Sequence, residues 1–481
     1  MLERIAQDST LALRYAWNPG MSSSPETASA ALDHALEAEA GLCRGLRPRQ
    51  LSMIALGGAI GTGLFLGSAI SVQAAGPGVI VSYTAGALVA ASVAWSLAEM
   101  AAAFPVAGSF GVYADIFLHP WAGFTMRYSY WLAQAVAVGS EAVAVSIYCR
   151  EWLPQVPGWV WVTGFSLALV FVNARTVASF GEFEYWFAMI KVATIVVFLV
   201  LGCALIFGVG FERIGFANYT RFGGFLPRGW RGVGLGVSMA IFSYLGTEAV
   251  AVTAGEAQNP EVAVPRAMRS MFGRLALFYI GGVAVLVGVM PWTQAGLSES
   301  PFVRVFKTVG IPAAAALMNF VVLTAALSSM NTNLYLCSRM LFSLARGGYA
   351  PGFLGHLSRA GSPVAAIVAS SAGMALALVS ELVSPKTAYL QMLGAAFFGG
   401  LFVWMMILAT HIRFRRRFTG KLIFRAPFYP WASASGIAAL AAITISTWWV
   451  PGMKITLIAG LPWLAFISLC YLLWPGSSRR V

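Results

Sequence analysis

Lys191 lies inside YWFAMIKVATIVVFLVLG (185–202), an apolar run long enough to enter a bilayer, with no acidic residue closer than Glu184. An ammonium at membrane depth is costly to keep charged, so the residue is a candidate for loading and releasing a proton. The competing reading is a snorkelling side chain that reaches the headgroups. If the helix enters the membrane near Phe183, a rise of about 1.5 Å per residue puts Lys191 about 12 Å deep. A stem of about 6 Å does not comfortably span that distance. Glu141 and Glu248 also fall deep in apolar runs. They are either counter-charges for a cationic amino acid or acceptors for backbone N–H groups freed where a helix breaks. Glu99 and Glu256 fall at span ends, where capping or pairing with Arg266 or Arg269 is expected.

Other chemistries lack their residues. The five cysteines (Cys43, Cys149, Cys203, Cys337, Cys470) show no CxxC spacing, and the four histidines form no cluster. No metal site, cofactor site or nucleophilic triad is expected, and no phosphate-binding GxxxxGK[ST] loop occurs. An enzyme is therefore disfavoured, and uphill movement would not draw on an ATP site of this chain.

Two segments carry helix breakers at membrane depth. GGAIGTGLF (57–65) holds four glycines within seven residues, and FSYLGTE (242–248) places Ser, Gly, Thr and Glu in another apolar run. Each interior glycine weakens a helix by about 1 kcal/mol relative to alanine. Small residues four apart, as at Gly57 and Gly61 or Gly63 and Gly67, are equally consistent with a helix-packing face. The second break shifts that balance, because glycine-interrupted spans at matching positions of two halves point to an inverted-repeat transporter site. Half-helix N-termini suit a carboxylate and exposed carbonyls suit an ammonium. A site offering both fits a zwitterion, which is the route to an amino acid.

The elements that must hold these breaks are membrane helices. Of 481 residues, 59% are hydrophobic and 10% charged, against about 25% charged in soluble domains. Twelve apolar spans are expected, at 51–75, 78–101, 121–149, 158–174, 183–208, 233–254, 271–291, 311–338, 363–383, 388–410, 431–449 and 454–474. The formal charge of +13 reads as positive-inside asymmetry rather than as a nucleic-acid surface. With the N-terminus inside, Arg44, Arg47, Arg49, Arg175, Arg266, Arg274, Arg346 and the cluster Arg413, Arg415, Arg416 and Arg417 share one side. Arg228 and Arg231 run against that pattern. Residues 1–45 are polar and expected to form a disordered cytoplasmic tail, with Met21 an alternative start, and residues 476–481 a second cytoplasmic tail.

Several stretches together resemble bacterial amino acid permeases of the amino acid–polyamine–organocation superfamily. They are IALGGAIGTGLFLGSAISVQAAGPG (54–78), SLAEMAAAFPVAGSFGVYADIF (96–117), GEFEYWFAMIKV (181–192), FSYLGTEAVAVTAGEAQNP (242–260) and LSSMNTNLYLCSRMLFSLARGGYAP (327–351). The resemblance implies an all-α, leucine-transporter-like fold, with inverted repeats at about 46–210 and 230–411 in a permease domain spanning 46–475, and peripheral helices at about 430–475. It implies that Ile60, Gly61, Thr62 and Gly63 hold the substrate carboxylate, and that Phe242, Ser243, Leu245 and Gly246 receive the amino group, with Phe242 as a lid. It implies that Lys191 stands where sodium-driven relatives bind sodium, between the first and eighth spans, faced by Ser328 and Ser329. Relatives read GWxYW where this chain has Arg127-Tyr128-Ser129-Tyr130-Trp131, so Arg127 is expected either to snorkel or to close a cytoplasmic gate. The implied function is amino acid uptake by proton symport with alternating access, in a plasma (inner) membrane. The implied partners are substrate, proton and bilayer, in a monomer or weak homo-oligomer. An exchanger or polyamine carrier of the same fold and a non-transporting amino acid sensor are the alternatives.

Overall fold

A computed structural model of the chain describes residues 53, 56–104, 109–175, 180–252, 260–308, 312–358, 361–418, 420, 422 and 424–473. The expected tails, the alternative start at Met21 and Glu256 lie outside them. The described residues are almost all helical and form no strand of a sheet. That is what hydrocarbon requires, since a helix satisfies its backbone groups within one segment.

Ten helices among the described residues are long and apolar enough to cross a membrane. The first, Leu56–Ala103, holds 48 residues, about 72 Å at 1.5 Å each and roughly twice the hydrocarbon thickness. It folds back at Gly76-Pro77-Gly78 into two spans, with Gly76 at φ +59°, a conformation side chains other than glycine rarely adopt. Gly158–Ala174 is a shorter apolar helix. Together these give twelve apolar helical segments at the expected places among the described residues.

Several helices outrun the expected spans. The sixth begins at Gly229, the eighth runs to Arg346 and the tenth to Arg417. Hydropathy reads only the part bounded by hydrocarbon, whereas arginine is a good helix former and carries the helix into the headgroups. The ninth span, expected to be continuous, is divided at Ser371 into Val364–Ser370 and Ala372–Val383. Its Oγ donates to Val368 O at 2.7 Å, the local competition with the helix ladder that serine offers.

The third span, Pro120–Arg150, is central and packs against the eighth, Pro312–Arg346, and the tenth, Ala388–Arg417. The fifth, Phe180–Phe207, lies at the rim. Glu184, Ala188, Lys191, Ile195 and Phe198 form its buried stripe, while Trp186, Met189, Ile190, Val196, Val197 and Val200 are exposed. That spacing of three and four is one face of a helix, and it turns Lys191 inward.

At the arginine-rich end, the structure gives Glu99 and Arg127 their partners. Glu99 is buried and pairs with Arg415, with His411 Nε2 3.3 Å away. Glu99 also accepts the backbone N–H of Ala426, so the second span, the tenth and the connection after it meet on one carboxylate. Arg127 does not snorkel. It is buried, pairs with Asp115 of the helix Ser109–Phe117, donates to Gly123 O at 3.1 Å and lies 5.4 Å from the centre of the Tyr349 ring.

Candidate functional site

The first span breaks where its glycines crowd. Residues 56–59 are helical, Ile60 and Gly61 bend, and the helix resumes through the wider turn Gly63–Gly67 into Ser68–Ala75. The carbonyls freed by the bend find partners across the bundle. Gly57 O accepts from Lys191 Nζ at 2.7 Å, and Ala59 O from Tyr279 Oη at 2.6 Å. The half-helix that begins after Thr62 has no side-chain cap from that residue, and its N-terminal dipole end faces the bend.

The sixth span breaks after Tyr244. The helix Gly229–Tyr244 ends in an extended Leu245, Gly246 takes φ +100°, and the chain turns into Ala249–Val252. A Cβ on Gly246 would stand 2.8 Å from Gly58 O, so the two breaks touch backbone to backbone. Glu248 accepts the N–H of Gly246 at 3.0 and 3.2 Å and that of Trp404 Nε1 at 3.0 Å. Glu248 thus accepts from backbone freed at the break.

A cavity lies between the breaks. The first span lines it with Gly61 and Gly63, the third with Gln134 and Glu141, and the sixth with Phe242, Leu245, Gly246 and Glu248. Ser329 and Asn333 of the eighth span and Ala396 and Gly400 of the tenth complete the wall. Glu141 accepts from Ser329 Oγ at 2.9 Å, and its Oε2 has no hydrogen-bond partner among the described residues. Phe242 stacks edge-on against Phe397 at 5.8 Å.

Three of the expected residues are not on that wall. Ile60 is fully buried at the bend, and Ser243 bonds Tyr83 Oη at 3.0 Å. Thr62 is buried with its carbonyl 3.4 Å from Tyr389 Oη. Gln134, Asn333, Ala396 and Gly400 are wall residues that the sequence does not single out. All lie on long apolar spans whose inward face no period marks, because lipid-facing and core-facing residues are alike apolar.

Lys191 sits behind the first break. Its side chain is 1% exposed, and the bond to Gly57 O rules out snorkelling. Glu184 Oε1 lies 3.9 Å from Nζ and accepts from Ser328 Oγ at 2.6 Å. The two eighth-span serines therefore face the two carboxylates, Ser328 on Glu184 and Ser329 on Glu141, and Lys191 is bonded to the first span. Glu184 is a site residue the sequence passes over. Its signal is the seven-residue spacing to Lys191, two helical turns on one face.

The family model described as "Amino acid permease" matches residues 50–476. The chain is 39% identical over 424 residues to the gamma-aminobutyric acid permease of Bacillus subtilis (strain 168), covering 87% of this chain and 90% of that protein. It is 39% identical over 451 residues to the amino-acid permease RocC of the same organism, covering 91% and 95%. With the aromatic amino acid transport protein AroP of Salmonella typhi it shares 38% over 444 residues, covering 92% and 97%.

Proposed function

The chain belongs to the amino acid permease family, and on that premise we propose that it takes up an amino acid by proton symport, working by alternating access. Membership makes it a multi-pass membrane transporter of amino acids and not an enzyme. The coupling ion, the residues and the orientation are the reading offered here.

The substrate carboxylate docks at the uncapped N-terminal end at Gly61 and Gly63, with Ile60 and Thr62 holding the bend. The amino group docks at Leu245 and Gly246, with Ser243 bracing the sixth span through Tyr83. Phe242 closes over the bound molecule. With Lys191 protonated, its bond to Gly57 O holds the first break against the fifth span. Release of that proton to the cytoplasm weakens the bond, loosens the break and lets the substrate go. The halves at about 46–210 and 230–411 rock against each other around the site, the ends of the chain are cytoplasmic, and the membrane is the bacterial inner membrane. One observation carries the reading: a buried lysine bonded directly to the carbonyl of a broken helix that walls the cavity.

Identity does not choose the substrate, since relatives named for γ-aminobutyrate and for aromatic amino acids stand at 39% and 38%. The test is uptake into proteoliposomes of a radiolabelled mixture of the common amino acids with γ-aminobutyrate, with and without an imposed inward proton gradient. The gradient is expected to drive accumulation. Lys191→Ala is expected to lower it about tenfold or more while measurable counterflow remains. Accumulation that needs internal amino acid instead of the gradient would make the protein an exchanger, and binding without flux would make it a sensor.

A further inference from the structure

One buried carboxylate has no part in that cycle. Glu184 is fully buried on the inward stripe of the fifth span, two turns before Lys191. We propose that Glu184 is a positioning residue for proton coupling: its carboxylate is the counter-charge that lets Lys191 keep a proton inside the membrane, and its bond to Ser328 ties that charge state to the eighth span. This rests on the reading of Lys191 as the proton carrier.

The geometry gives the pair three attachments. Nζ donates to Gly57 O of the first break at 2.7 Å. Oε1 stands 3.9 Å from Nζ, beyond hydrogen-bond reach but at ion-pair distance, and accepts from Ser328 Oγ at 2.6 Å. Oε2 has no hydrogen-bond partner among the described residues. The charged groups acting on Lys191 are Glu184 on its own helix and Glu141 on the third span; the first span offers a carbonyl and the eighth offers hydroxyls. Glu141 is already engaged by Ser329 and faces the cavity, which leaves Glu184 as the standing partner. A lone ammonium in an apolar interior discharges instead of remaining charged, and a carboxylate at ion-pair distance opposes that discharge. Per cycle one proton reaches Nζ from outside and leaves to the inside, so the net charge of the pair changes by one. When Lys191 is neutral, Glu184 loses its counter-charge while its bond from Ser328 remains, so the charge change at Lys191 is felt by the eighth span as well as the first.

The test uses the full chain in proteoliposomes with the same labelled amino acid mixture. It measures gradient-driven uptake against external pH, and counterflow without a gradient. Glu184→Gln is expected to lower uptake near neutral pH by about tenfold and to regain it as the external pH falls, moving the profile by about one pH unit to acid. Counterflow is expected to remain measurable, and Glu184→Asp to restore the wild-type profile at a reduced rate. Ser328→Ala keeps the carboxylate and removes its donor, and is expected to move the profile the same way by less. A Glu184→Gln profile that coincides with wild type overturns the proposal. So does parallel loss of uptake and counterflow at every pH, the signature of a purely structural pair. If Glu184→Gln does not fold, an unshifted Ser328→Ala profile overturns it. Wild-type protein that ignores the gradient, or Lys191→Ala that still accumulates, instead overturns the symport reading beneath both.

Discussion

Lys191 is awkward only while it is viewed alone. Its ammonium is buried on the one inward face of an otherwise lipid-facing helix, and its hydrogen bond goes to a carbonyl that a broken helix has set free. The same tight geometry surrounds Gly61, where a Cβ would stand 2.6 Å from Ser329 Oγ and 2.9 Å from Glu141 Oε1. Gly61→Ala therefore forces the eighth-span serine or the cavity carboxylate to move. Displacements of that size at a binding site cost on the order of 100-fold in turnover. Uptake is expected to fall by at least about tenfold, with little change in thermal stability, measured in proteoliposomes and by a detergent melt. Glycine crowding at 57–63 was visible in the sequence, but not which glycine faces the cavity and which faces Glu184.

At the scale of elements, the two breaks support each other. Gly246 is held at φ +100° against Gly58 O, and Glu248 takes up the N–H released there. Gly246→Ala combines an unfavourable backbone conformation with a clash and is expected to destabilise the protein by roughly 1–3 kcal/mol. The measurement is the apparent melting midpoint in detergent, and an unchanged midpoint would mean that the break is not held as described. The existence of both breaks was legible, because glycine and polar residues at membrane depth have few other uses. The division of the ninth span at Ser371 was not legible, since a lone serine is common inside membrane helices. The placement of Arg127 stays open in the sequence, between snorkelling and a cytoplasmic gate, for a similar reason. An arginine near a span end usually snorkels, and only the fold brings Asp115 and Tyr349 to it.

Across the whole molecule, the arginine-rich end is fastened by Glu99, which joins the second span to Arg415 and His411 of the tenth and to the backbone at Ala426. Removing one partner of a buried ion pair strands the other. Arg415→Ala is expected to lower stability by about 3 kcal/mol, and the double variant Glu99→Gln with Arg415→Met by clearly less. Detergent melts of the two compared directly decide it. Equal losses would mean that Glu99 is not left as an unpaired charge.

The sequence by itself determined that the chain is a membrane protein with about twelve apolar spans, that two of them carry helix breakers at membrane depth, and that a lysine lies within another. These follow from composition and from local helix chemistry, which act residue by residue. Only the tertiary structure decided which groups meet: Lys191 with Gly57 and Glu184, Ser328 with Glu184 and Ser329 with Glu141. It also decided that Gln134 and Asn333 wall the cavity while Ile60, Thr62 and Ser243 stand behind it. The physical reason is that in lipid the outer faces of helices are as apolar as the inner ones. The rotation of each span is thus set by packing against its neighbours and leaves little mark on the pattern of its own residues.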